Sequence, residues 1–109
     1  MKMTTLESLQ EWYLSRCNED WEHTYGIDIG TLDNPGWSLK VDLADTPLEG
    51  VSYAGHSYGI GEKNEPTSPE WLVCKVENRK FVANGGPRKL EEMIGVFLTW
   101  ATANTRSSK

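Results

Sequence analysis

Asp20, Glu22 and His23 are the closest this sequence comes to an acid–base set. A carboxylate beside an imidazole can relay a proton near neutral pH, which is the working part of many hydrolases. Such a hydrolase also needs an activated nucleophile, and no Ser or Cys motif accompanies the trio. Acids in a loop that leaves a helix also serve solubility. Solvation is therefore the expected role, and a small hydrolase using His23 with Asp20 or Glu22 is the alternative.

A second cluster, Asn84-Gly85-Gly86-Pro87-Arg88-Lys89, is a glycine turn with two cations at a helix start, where an anion could sit. It lacks the GxxxxGK[ST] spacing of a phosphate loop, and a tight strand-to-helix connection accounts for its glycines. Arg88 and Lys89 oppose the helix dipole, which calls for an acidic partner or an internal ion pair. Cys17, Cys74, His23 and His56 contain no Cys-x-x-Cys or His-x-x-x-His pair. Two buried free thiols, no disulfide, no metal and no cofactor are expected.

The net charge is −5, and its distribution says more than its total. Residues 18–50 carry Glu19, Asp20, Glu22, Asp28, Asp33, Asp42, Asp45 and Glu49 against Lys40 alone. An acidic pole of this kind repels nucleic acid and attracts basic protein surfaces. The five tryptophans and four tyrosines do not form a single-strand nucleic-acid platform either, because that needs a basic groove.

The elements that must position these residues are legible from periodicity. A chain of 109 residues fits one domain, 1–109, with a core that needs no staple. Thr4-Thr5-Leu6-Glu7 forms a capping box, so a helix begins there. Leu6, Leu9, Tyr13 and Cys17 mark its buried face, widened by Trp12 and Leu14, and Asn18 is the expected left-handed cap. Trp21 is expected to plug the seam between helix and sheet.

Tyr25, Ile27 and Ile29, then Trp37, Leu39, Val41 and Leu43, alternate with polar residues or Gly and read as half-buried strands. Asn34-Pro35-Gly36-Trp37 reads as the turn, with Gly36 at positive φ. Both apolar sets are odd-numbered, and opposed residues share a face, so paired numbers must sum to an even value. An odd-length loop or a bulge follows.

Val51 and Tyr53, extended to His56-Ser57-Tyr58, suggest a third strand; Gly61–Pro69 has no apolar anchor and reads as a mobile loop. Trp71–Val76 and Lys80–Ala83 read as strands joined at Asn78-Arg79. Leu90, Met93, Ile94, Phe97, Leu98 and Ala101 give the buried stripe of a last helix, with Pro87 in its first turn, Trp100 flanking and Thr105–Lys109 as a fraying tail. The absence of βαβ alternation predicts an α+β fold: a four- to five-stranded antiparallel meander with an N-terminal and a C-terminal helix on one face. The N-terminal residues lack a signal-peptide h-region and no stretch is long enough to span a bilayer, which predicts a cytoplasmic protein.

LQEWYLSRCNEDWEHTYGIDIGTLDNPGWSLKVDL, together with NGGPRKLEEMIGVFLTW, resembles the immunity protein 53 family of bacterial polymorphic-toxin systems. Asp20-Trp21-Glu22-His23, Leu32-Asp33-Asn34-Pro35-Gly36-Trp37 and the last helix carry the resemblance; Gly50–Pro69 contributes little. The resemblance implies a small α+β cytosolic protein, not an enzyme, that binds and blocks a cognate toxin. A nuclease with a basic cleft would suit the acidic pole. Glu19, Asp20, Glu22, Asp28 and Asp42 are the expected toxin-binding residues, with Asp33 at the far, turn end of the hairpin. No nucleic acid or membrane partner is expected.

Overall fold

The computed structural model describes residues 3–63 and 65–105. Its elements are α1 (Thr5–Arg16), α2 (Trp21–Thr24), β1 (Ile27–Leu32), β2 (Gly36–Asp42), β3 (His56–Tyr58), β4 (Leu72–Glu77), β5 (Lys80–Gly85) and α3 (Leu90–Thr105). The tail residues 106–109 lie outside the described part.

The capping box forms as read: the Glu7 amide donates to Thr4 Oγ1 at 3.0 Å and the Thr4 amide to the Glu7 carboxylate at 2.8 Å. The buried face of α1 is narrower than its apolar pattern. Leu9 is buried and Trp12 half-buried, but Leu6, Tyr13 and Leu14 are exposed. The reason is that α1 packs on α3 rather than lying flat on the sheet, with Trp12 edge-on to Phe97 at 4.9 Å. The helix also ends differently. Cys17 caps it in extended conformation, and Glu19, not Asn18, is left-handed at φ 76°.

The hairpin obeys the parity argument. Ile27 faces Val41, Ile29 faces Leu39 and Leu32 faces Gly36, so a three-residue loop, Asp33-Asn34-Pro35, joins the strands. Gly36 does not supply a positive φ to the turn. It opens β2, where a Cβ would overlap the Gly85 carbonyl oxygen, so glycine is required by the close approach of β5. Tyr25 stays outside the strand and ends α2.

All pairings are antiparallel, as expected, but the order β1-β2-β5-β4-β3 is not a sequential meander. Asn78 and Arg79, at φ 52° and 60°, make a two-residue left-handed turn that folds β5 back on β4. The far edge of β5 then takes β2, and the chain from Leu43 to Gly55 must carry β3 to the opposite edge. That connection is anchored by the fully buried Leu48 and by Thr46 Oγ1, which donates to the Leu43 carbonyl at 2.7 Å. Val51–Ala54 is therefore loop rather than strand; the Ser52 carbonyl accepts from the Trp100 indole at 3.1 Å. Gly59–Gly61 and Glu65–Thr67 are bonded to each other more than their composition implies. Ile60 bridges Pro66, and the Thr67 amide donates to the Gly59 carbonyl at 2.8 Å.

The helices cover one face of the sheet. Leu39, Val41, Phe81, Ala83, Leu72 and Cys74 meet Met93, Ile94, Phe97 and Ala101 there, and Trp100 closes the end of the stripe; Leu90 and Leu98 are half-buried at its margin. Pro87 lies before α3, where its carbonyl accepts from the Trp37 indole at 3.0 Å. The other face presents Asp28, Lys40, Asp42, Lys75, Glu77 and Lys80.

Candidate functional site

The residues between α1 and α2 are tied down by their own side chains. Asn18 Oδ1 accepts from the amides of Asp20 and Trp21, each at 2.9 Å. The Glu22 carboxylate accepts from the amides of Asn18 and Glu19, each at 2.8 Å, and backbone hydrogen bonding holds its pKa below the usual carboxylate range. Glu22 is thus an architectural anion. With it held inward, Glu19 and Asp20 are left exposed. Trp21, buried as expected, pins the segment to the exit of β2 by donating from its indole nitrogen to the Ala44 carbonyl at 3.0 Å.

That bond brings the acids of residues 18–22 to the same end of the sheet as the end of β2. Across that end run Gly26, Asp42, Lys80 and Glu77, fixed by the strand register and the Asp42 amide donating to the Gly26 carbonyl. One Asp42 oxygen accepts from the Gly26 amide at 2.9 Å, and the other pairs with Lys80. Beyond the sheet, the Glu49 carboxylate accepts from the Asp45 amide at 2.9 Å and pairs with Arg79 at 3.1 Å. Those two contacts, the amide first, hold its pKa low.

The structure therefore gathers Glu19, Asp20, Glu22 and Asp42 at one end, with Asp28 two residues farther in on the helix-free face. Asp33 sits in the loop at the opposite end. Asp45 and Glu49, counted in the acidic pole but not among the expected binding residues, share the acidic end. Their spacing of four after a strand exit, with Thr46 and Gly50 between and beyond them, was the available signal of a bonded loop. Arg79 and Lys80 offset part of this charge by pairing with Glu49 and Asp42, so the exposed Glu19, Asp20, Asp28 and Asp45 are the acids of this end that stand outside the ion pairs.

His23 is exposed beside Glu22, whose carboxylate is already engaged by two amides. The cations at the start of α3 resolve into an internal network. Lys89 Nζ lies 2.8 Å from Glu70 and 3.6 Å from Glu92, and 5.3 Å from the Tyr58 ring centroid; Arg88 reaches Glu70 at 4.0 Å. The Glu70 contact raises the Lys89 pKa and lowers that of Glu70. A Cβ at Gly86 would overlap the Pro69 carbonyl oxygen, so the turn's glycine answers to packing.

Cys74 is buried in the central sheet, which pushes its thiol up to about 12, whereas Cys17 is only half-buried because α1 ends at the surface. Among the described residues no group of three His, Cys, Asp or Glu side chains is placed to hold a metal ion. Within the same residues no helix is long and apolar enough to cross a membrane.

The fold is α+β, with helices on one face of an antiparallel sheet and exposed carboxylates at one sheet end. The family model for immunity protein 53 matches residues 6–102. The chain belongs to that family and is an immunity protein. Comparisons with curated proteins and with solved structures give no match.

Proposed function

We propose that this protein binds and neutralises a cognate toxin, and that the acidic end of the sheet steers it onto a basic cleft such as that of a nuclease. The observation that carries the reading is the fixed backbone beneath Glu19 and Asp20. The Asn18 and Glu22 side chains satisfy four local amides, so the two exposed carboxylates are presented on a backbone that needs no further ordering at encounter. Asp28, exposed on the helix-free face, extends the acidic surface, and Asp33 would contribute only to a partner that spans the whole hairpin. Such a protein acts in the cytoplasm, where an incoming toxin would meet its target.

Charges at an interface rim act mainly on encounter. Reversing Glu19 and Asp28 to Lys should slow association with the toxin encoded beside this chain and flatten its salt dependence, with the melting temperature retained. An unchanged on-rate in the folded double variant would refute the steering role.

A further inference from the structure

The strand β1 is an edge, since β2 is its neighbour on one side and, among the described residues, no strand pairs with it on the other. The Asp42 amide donates to the Gly26 carbonyl at 3.0 Å, which sets the phase of the antiparallel ladder. Bonded pairs then fall on the even residues of β1, and Ile27, Ile29 and Thr31 direct their N–H and C=O groups away from β2. Native edges of this length are usually blunted by charged side chains, above all Lys, by Pro or by a bulge, and β1 carries a single charge, Asp28. The sequence Ile27-Asp28-Ile29-Gly30-Thr31-Leu32 has no Lys or Pro, and its register with β2 is unbroken. The opposite edge, β3, is kept to three residues.

The two faces beside this edge differ. On the helix side Ile29 is 42% exposed, and Leu9, Gln10, Tyr13, Gly26 and Ile27 line a hollow of about 370 Å³ at the start of the strand. On the open side stands the Asp28 carboxylate, opposite Lys40 of β2. An added strand would place one set of side chains by Ile29 and the hollow, and the alternate set by Asp28.

We infer that β1 receives an extended segment of the partner by strand addition, one whose side chains alternate between apolar and basic. The apolar set enters the hollow beside Ile27 and Ile29, and a Lys or Arg meets Asp28. Charge selects this occupant over a second copy of the chain, because β1 carries no cation to offer Asp28 and each copy brings a net charge of −5. The inference rests on the toxin-binding reading and adds the recognition mode to it.

The test uses the full chain and a catalytically inactivated form of the toxin encoded beside it, with binding and amide hydrogen exchange as readouts. Thr31→Pro removes an outward N–H without breaking the β1–β2 ladder, and Asp28→Lys places a cation where the incoming one should sit. Each should weaken binding by about tenfold or more, comparable to losing one or two hydrogen bonds. In the wild type, toxin should slow exchange at the Ile29 and Thr31 amides. Wild-type binding without that protection overturns strand addition and leaves neutralisation standing, and this readout does not depend on how Thr31→Pro folds. Unchanged affinity in both folded variants does the same. A toxin-free dimer with those amides already protected assigns the edge to a second copy and overturns the inference. Absence of wild-type binding overturns both readings.

Discussion

The Trp21 indole nitrogen donates to the Ala44 carbonyl at 3.0 Å, across 23 positions of sequence, and so fastens the acidic segment after α1 to the end of β2. Trp21 is at once a core residue, edge-on to Trp12 at 6.1 Å, and the hinge pin of the proposed binding surface.

Trp21→Phe keeps most of the ring and removes the donor, leaving the Ala44 carbonyl buried and unpaired. The cost should be about 1–3 kcal/mol, measured by urea denaturation. If the bond positions Glu19 and Asp20, the variant should also lose on-rate for the toxin at low salt.

Asp28 and Asp42 share a face but not a role. Asp42 holds the Gly26 amide and Lys80, so Asp42→Ala should cost about 1–3 kcal/mol, whereas Asp28→Ala should stay within about 0.5 kcal/mol. Equal losses in chemical denaturation would mean that Asp42 is not structural.

The pH dependence should have two shoulders. Glu22, Glu49 and Glu70 are held below the ordinary value of 4.5, so their contribution is complete above it and is lost as pH falls through their lower folded values. Lys89 is held above 10.5, so its contribution is complete below that value and is lost as pH rises through the higher folded one. Thermal melts from neutral to acid pH should fall less for Glu70→Gln than for wild type.

The thiols should react in sequence. Cys17 is half-buried at a helix end and should label with a thiol reagent in the native protein. Cys74, whose thiol is raised to about 12 by burial, should label only on unfolding. Two equally fast equivalents would contradict the burial of Cys74.

Much of the fold was legible because its rules are local. Thr4 and Glu7 form their capping box within one turn, the last helix declares itself by the spacing of Met93, Ile94, Phe97 and Ala101, and the even-sum rule required an odd loop or a bulge, which the three-residue loop Asp33–Pro35 satisfies. Each of these depends on residues a few positions apart, or on a parity that holds wherever the strands meet. The acidic pole and the core role of Trp21 were readable in the same way.

What the sequence left undecided was which distant partners compete for each group. The choice of β2 as β5's second neighbour displaced β3 to the far edge, and packing on α3 left Leu6 and Leu14 of α1 in solvent. The pairings of Lys80 with Asp42, Arg79 with Glu49 and Lys89 with Glu70 decided which charges remain available. Side-chain type sets what a group can bond to, but only the packed chain sets which candidate is within reach, and ion pairing falls off over a few ångströms. Glu19, Asp20, Asp28 and Asp45 are exposed and outside the ion pairs for that reason, and among the described residues no later strand covers the edge of β1.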